Sequence, residues 1–131
     1  MIGYVTLGTN DLDKARAFYD ALLGEIGATR KMEFAETGFT LYGTGERRPG
    51  IAVTRPYDGG PATPGNGNMT AIAAGSRATV DRLHAKALEL GGSDEGAPGL
   101  RSPEGPGAFY GAYFRDLDGN KLCVFRMGPA D

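Results

Sequence analysis

An internal repeat of about 65 residues, half of the 131-residue chain, most constrains what this sequence can fold into. A shift of that length places Tyr4 on Met69 and Leu7 on Ile72, and the strand and helix patterns of the two halves then coincide. Each half begins with an alternating strand, continues with a capped amphipathic helix and ends in three short strands. The sequence therefore predicts two βαβββ modules within a single domain, residues 1–131.

The first module is expected at about residues 1–56. Residues 2–8 alternate, with Val5 and Leu7 on one face and Tyr4 and Thr6 on the other. A helix follows with an N-cap at Asn10 or Asp11 and an apolar stripe at three- and four-residue spacing, formed by Leu12, Ala15, Phe18, Leu22 and Ile26. Three short strands are predicted at 29–35, 38–43 and 50–55.

A segment rich in Gly and Pro, about residues 57–67, predicts a linker to the second module at about 68–127. The pattern restarts with a strand at 69–74 and a helix capped by Ser76. His84 lies in the middle of that helix, where we expect it to be half exposed. The last three strands are predicted near 94–98, 108–115 and 120–126.

Composition excludes several classes of function. The formal net charge is −2, so there is no basic surface of the kind that neutralises nucleic-acid phosphates. One Cys and one His exclude a disulfide framework and a zinc finger. No apolar stretch approaches the length of a membrane span, and the chain begins without a signal-peptide pattern. We therefore expect a soluble cytoplasmic protein that contacts neither nucleic acid nor membrane.

Two motifs extend the repeat into a resemblance. Residues 10–19 read NDLDKARAFY, and residues 113–121 read YFRDLDGNK. Together with the βαβββ order, they resemble the vicinal oxygen chelate superfamily, which includes glyoxalase I, bleomycin resistance proteins and extradiol dioxygenases. The resemblance covers nearly the whole chain and implies an α+β fold with a cleft between two curved mixed sheets. It also implies a homodimer, since many family members pair, and the exposed sheet edges are consistent with pairing.

The positions that bind a divalent metal in the family's enzymes are occupied differently here. The resemblance places Tyr4, Met69 and Cys123 at ligand positions, and the strand at 50–55 contains neither a carboxylate nor a His. A phenol is a poor ligand at neutral pH, and thioethers and thiols suit soft metals. We therefore predict no metal and no cofactor. Copper or iron held by these three side chains is the alternative.

The aromatic run at 109–114 splits between the two faces of its strand. Phe109 and Tyr113 share one face, predicted to line the cleft, while Tyr110 and Phe114 share the other. Arg55 or Arg126 would provide an anion contact. The residues predicted to line a ligand cleft are Tyr4, Thr6, Arg55, Met69, Phe109, Tyr113 and Cys123.

These observations predict a protein that binds a small molecule and lacks the usual divalent metal site. The alternative is a glyoxalase-like lyase or isomerase, with displaced metal ligands or with metal-free chemistry that uses Tyr4, Glu33 or Glu36 as the base. A structural or regulatory role is a third possibility. The fold alone does not decide among them, because it serves both enzymes and binding proteins. The sequence identifies neither a catalytic residue nor the ligand.

Overall fold

Two helices and eight strands follow one another as βαβββ twice in the computed structural model, which describes residues 1–131. The first half contains β1 (Tyr4–Gly8), α1 (Leu12–Gly24), β2 (Thr29–Glu33), β3 (Thr40–Gly43) and β4 (Gly50–Thr54). The second half contains β5 (Thr70–Ala73), α2 (Arg77–Glu89), β6 (Ser93–Leu100), β7 (Phe109–Arg115) and β8 (Lys121–Met127). The predicted α+β class and the two βαβββ modules are confirmed.

The chain divides into two compact units, each with one four-stranded mixed sheet and one helix. Unit 1 comprises Met1–Asn66 and Leu117–Asn120, and unit 2 comprises Gly67–Asp116 and Lys121–Asp131. The strand orders are β1-β4-β3-β2 and β5-β8-β7-β6. In each sheet the first strand of the module pairs in parallel with the last, and the other pairs are antiparallel.

In unit 1, α1 covers one face of the sheet through both apolar and polar contacts. Asp11 is the N-cap, as one of the two predicted alternatives, and its side chain accepts a hydrogen bond from the backbone N–H of Lys14. The hydroxyl of buried Tyr42 on β3 donates to Asp20 on α1 at 2.9 Å. Arg30 on β2 donates to both oxygens of Asp20, and this bonding holds the pKa of the Asp20 carboxyl below its usual value.

A β-bulge between Arg30 and Met32 changes which face of the sheet β2 presents. Arg30 pairs with Tyr42 on the side covered by α1, whereas Met32 pairs with Leu41 on the opposite side. Without the bulge, residues two apart on a strand would share a face. The extra residue therefore turns the end of β2 away from α1.

In unit 2, α2 covers the face of the sheet that carries Tyr110. The hydroxyl of Tyr110 donates to Asp81 on α2 at 2.7 Å. Ser76 is the N-cap, as predicted. The expectation that His84 is half exposed is wrong: the residue is buried, and its Nε2 lies 2.9 Å from Asp94. A carboxylate on β6 reaches this helix position, which the sequence pattern could not show. Neither α1 nor α2 has the length and apolarity that a membrane-spanning helix needs.

The turn between β7 and β8 belongs to unit 1 rather than to the sheet it connects. Asp118 accepts a hydrogen bond from the backbone N–H of Asn10 at 2.9 Å. The side chain of Asn120 is buried and donates to the carbonyl of Gly8 at 3.0 Å. The late sequence motif thus fixes the connection between β1 and α1.

Candidate ligand-binding site

Unit 1 has a large pocket on the face of its sheet opposite α1. Its volume is about 1310 Å³, above the roughly 300–1,000 Å³ of many small-molecule sites, so a small molecule would not fill it. Tyr4 and Thr6 of β1, Leu41 of β3 and Thr54 of β4 contribute to its lining. These residues reach the same face because the pairings of β1, β3 and β4 place them in register.

Aromatic side chains form one wall of the pocket. The Tyr4 and Phe39 rings meet edge to face with centroids 5.7 Å apart, and the Phe34 and Phe39 rings are tilted at 5.8 Å. Tyr4 is 54% exposed and Phe34 is 53% exposed, although both take part in this cluster. Met32 extends the wall after the bulge in β2. Much of this apolar surface therefore faces solvent and is available to a ligand.

The segment 56–63 also lines the pocket, and Asn10 holds it in place. The Asn10 side chain accepts a hydrogen bond from the N–H of Ala62 at 2.7 Å and donates to the Ala62 carbonyl at 3.1 Å. This pair of hydrogen bonds satisfies both backbone groups of Ala62 with one side-chain amide, as strand pairing would. Because Asp118 bonds to the backbone of Asn10, the segment, the β1–α1 connection and the β7–β8 turn form one hydrogen-bonded chain.

Three charged side chains lie around the pocket. Arg55, directly after β4, is exposed and forms no hydrogen bond or ion pair within the chain. Asp58 accepts a hydrogen bond from the N–H of Gly60 at 2.9 Å, so one of its oxygens is already engaged. Glu36 is exposed. The pocket therefore offers one guanidinium that no carboxylate of the chain neutralises by direct contact.

Six of the seven predicted cleft residues fall into two groups of three, and Met69 belongs to neither. Tyr4, Thr6 and Arg55 line the pocket of unit 1. Phe109, Tyr113 and Cys123 share the face of the unit 2 sheet that points away from α2, because Tyr113 pairs with Cys123 and Tyr110 takes the α2 side. Met69 is exposed and precedes β5.

On that face of unit 2, aromatic rings contact one another and nearby cations. Phe109 stacks on Phe125 at 5.2 Å with an angle of 8° between the rings. Arg101 and Lys121 lie 5.4 and 5.7 Å from the centre of the Tyr113 ring. These contacts cover the ring faces of unit 2, whereas the rings that line the pocket of unit 1 remain half exposed.

The donor atoms at the family's ligand positions do not fit a divalent metal. Cys123 is 1% exposed, and burial raises the pKa of its thiol, which opposes formation of the thiolate that a metal requires. Tyr4 offers a phenol and Met69 a thioether, neither of which suits a hard cation. No group of three or more His, Cys, Asp or Glu side chains is arranged to hold a metal ion.

Sequence reasoning missed the residues that build most of the pocket. Phe34 and Phe39 flank a turn between short strands, and Met32 reaches the pocket only through the bulge. The segment 56–63 was predicted as part of a linker because of its Gly and Pro content, yet it forms a wall. From the sequence, Asn10 is a helix-cap candidate and part of the motif at 10–19, with no predicted contact to 56–63. Because Asp11 is the N-cap, the side chain of Asn10 is not needed for capping and can contact another segment. This is the one signal in the sequence for its bond to Ala62.

A family profile and a solved structure both relate this chain to the same superfamily. The profile of the Glyoxalase/Bleomycin resistance protein/Dioxygenase superfamily matches residues 1–124. A crystal structure of a glyoxalase/bleomycin resistance protein from Albidiferax ferrireducens T118 is 37% identical, with a TM-score of 0.81, and the match covers 96% of this chain and 98% of that chain. No functionally curated protein matches significantly.

Two more distant structures share the fold. A family enzyme from Burkholderia phytofirmans PsJN is 20% identical with a TM-score of 0.71, and the match covers 95% of this chain and 97% of that chain. A lactoylglutathione lyase from Agrobacterium tumefaciens is 22% identical with a TM-score of 0.65, and the match covers 96% and 92%. At these identities the likeness concerns the fold alone.

Proposed function

Since the chain belongs to the glyoxalase/bleomycin resistance protein/dioxygenase superfamily, we propose that it binds a small organic molecule in the pocket of unit 1 without a divalent metal. Family membership is consistent with enzymes and with binding proteins, so the proposal rests on the site itself.

The observation that carries the proposal is the half-exposed aromatic wall. Tyr4 and Phe34 each leave about half of their surface in solvent, and both contact or approach Phe39 in one cluster. Contiguous apolar surface on a soluble domain is costly to leave in water and commonly marks a binding site. A ligand lying on these rings would gain roughly 25 cal/mol for each Å² of apolar surface removed from water.

Binding can be tested with a neutral fluorescent probe, N-phenyl-1-naphthylamine. The chain has no Trp, so protein emission does not interfere with the naphthyl signal. We expect a saturable signal with one probe per chain, weakened at least several-fold by Phe34→Ala and Phe39→Ala. Leu117→Ala is the control, because Leu117 is an exposed apolar residue of unit 1 outside the pocket. A signal that does not saturate, or that all variants share, would contradict binding in this pocket.

The absence of a divalent metal is a separate part of the proposal. Elemental analysis after incubation with Ni²⁺, Zn²⁺, Fe²⁺, Mn²⁺ and Mg²⁺ should find much less than one ion per chain after dialysis. One tightly held ion per chain, lost in Cys123→Ala, would overturn this part and favour the enzyme alternative.

In the enzyme alternative, Glu36 and Tyr4 are the candidate general bases. Both line the pocket, whereas Glu33 does not and is bonded to Arg30 at 2.8 Å. A general base must reach the proton it removes, and these two side chains are placed to meet a bound molecule. The lactoylglutathione-forming reaction is a direct test. We expect no turnover with or without added metal, and turnover abolished by Glu36→Gln would establish the alternative.

A homodimer in the cytoplasm completes the proposal. Every residue of the edge strand β2 is exposed, which leaves backbone groups free to pair with another chain. Sedimentation at tens of micromolar should show a species heavier than the 13.7 kDa chain, and a purely monomeric profile would remove the dimer. The cytoplasmic location is an expectation from the sequence, which cell fractionation would test.

A further inference from the structure

Arg55 lines the pocket and forms no ion pair within the chain, unlike three other arginines. Arg30 bonds to Asp20 at 2.7 Å and Arg115 to Glu95 at 2.6 Å, and Arg77 forms a two-pronged pair with Glu104. Arg55 has no such partner, although it lines a pocket that also contains two carboxylates. An unmatched guanidinium beside a cavity is suited to a carboxylate from outside the chain, which it can bind through two parallel hydrogen bonds.

The position of Arg55 relative to the aromatic wall indicates the rest of the ligand. Its Nη1 atom lies against Gly38, where an added Cβ would be 3.3 Å away, and Phe39 is the next residue along the chain. The guanidinium therefore lies close to the residue that precedes Phe39, whose ring is central to the wall. A ligand that reaches both needs a flat apolar body and an anionic group at its edge.

The pocket also contains two carboxylates that could pair with Arg55, those of Asp58 and Glu36. Asp58 already accepts the Gly60 N–H through one oxygen, which satisfies part of its charge within its own turn. Glu36 is exposed, as Arg55 is, so solvent screens both charges and weakens the attraction between them. Neither carboxylate lies in ion-pair contact with Arg55.

From these observations we infer that the ligand is an aromatic or similarly flat apolar molecule that carries a carboxylate, and that Arg55 selects it by binding this group. The inference rests on the proposed function, because it assigns a ligand class to the same pocket. It adds Arg55 as the residue that determines specificity.

Three probes of the same size test the inference: 2-naphthoate, 2-naphthamide and 2-naphthylmethylamine, which are anionic, neutral and cationic at pH 7. We expect 2-naphthoate to bind about 10-fold more tightly than 2-naphthamide, as one charge-assisted pair at a partly exposed site would give. Arg55→Gln should remove this preference, so that 2-naphthoate and 2-naphthamide bind with the same affinity. Arg48→Gln is the matched control, since Arg48 is an exposed arginine of unit 1 outside the pocket.

Each result separates the inference from the proposed function. If 2-naphthoate and 2-naphthamide bind equally and Phe34→Ala weakens both, the pocket binds ligands but the anionic class is wrong. If 2-naphthylmethylamine binds best and Glu36→Gln abolishes that preference, the inference is overturned in favour of a cationic ligand. If none of the probes binds, both the proposed function and the inference fail. Raising the salt concentration should weaken only the 2-naphthoate preference of the parent protein.

Discussion

The two units have the same order of elements but differ on the sheet face that the helix leaves uncovered. In unit 1 this face carries Tyr4 and Phe34, which are half exposed around a pocket. In unit 2 the corresponding face carries Phe109 stacked on Phe125, and cations lie over the Tyr113 ring. The repeated βαβββ order therefore determines which sheet face the helix covers. The side chains on the uncovered face determine whether its aromatic rings stack on each other or stay exposed to solvent.

Glycine contributes to this difference in unit 2. A Cβ at Gly111 would lie 2.7 Å from the Phe109 ring, so the missing side chain is what lets this ring fold over β7 toward Phe125. In unit 1, by contrast, Thr6 occupies the middle of β1 on the pocket face, and the rings of Tyr4 and Phe39 meet only edge to face. An edge-to-face contact covers a face of only one of the two rings, whereas the stacked pair in unit 2 covers a face of each ring.

The largest expected effect contrasts a buried ring with an exposed one. Phe114, on the α2 side of β7, is fully buried, so Phe114→Ala should lower the free energy of unfolding by about 3–5 kcal/mol. Phe34→Ala, in the open wall of unit 1, should change it by less than about 1 kcal/mol. Denaturant unfolding measures both. Equal losses would show that the Phe34 wall belongs to a packed core rather than to a binding surface.

The next effect concerns how firmly the pocket wall at 56–63 is held. Asn10→Ala removes both side-chain bonds to Ala62 and should increase hydrogen exchange at the Ala62 amide about 10-fold, or about 1–2 kcal/mol in the free energy of local opening. Asn10→Asp keeps the acceptor for the Ala62 N–H, so its effect should be smaller. Unchanged exchange in Asn10→Ala would mean that other contacts hold the wall.

The stack on the free face of unit 2 should be easy to disturb at modest energetic cost. Gly111→Ala should displace the Phe109 ring and abolish the ring-current shifts of Phe125 in proton NMR spectra. The net change in stability should stay within about 1 kcal/mol, because replacing a strand glycine recovers part of the lost stacking energy. Gly107→Ala, where an added Cβ meets nothing within 4 Å, is the control. Persisting ring-current shifts would contradict this role of Gly111.

The smallest effect is a pH dependence in unit 1. Because Arg30 lowers the pKa of Asp20 in the folded state, Asp20 stabilises the fold above the unfolded pKa of about 4, and this contribution is lost as the pH falls. Asp20→Asn should therefore be less stable than the parent at pH 7, by under about 1 kcal/mol for a partly exposed pair. The difference should shrink in acid. Glu46→Gln, at an exposed carboxylate of a loop, is the control variant.

The comparison of the units also shows what the sequence could and could not predict. Local signals gave the helix caps, because Asp11 and Ser76 act within one turn of their own helices. The alternation of the aromatic run at 109–114 correctly separated the two faces of β7, because a strand without a bulge keeps its two-residue period.

The features that the sequence could not predict depend on irregular or distant contacts. The bulge in β2 shifts the phase after Arg30, so simple alternation misplaces Met32. The bond from Asn10 to Ala62 joins residues 52 positions apart, and no local pattern encodes it. The burial of His84 could not be predicted for the same reason, since its partner Asp94 lies on β6 rather than on α2.

The most direct test of the account is a titration of the protein with 2-naphthoate, followed by amide chemical shifts in the presence of a metal chelator. We predict saturable shifts at Thr6, Phe39 and Ala62 in unit 1, and no shifts at Tyr113 or Cys123. Shifts confined to Tyr113 and Cys123, or binding that the chelator abolishes, would contradict a metal-free ligand site in unit 1.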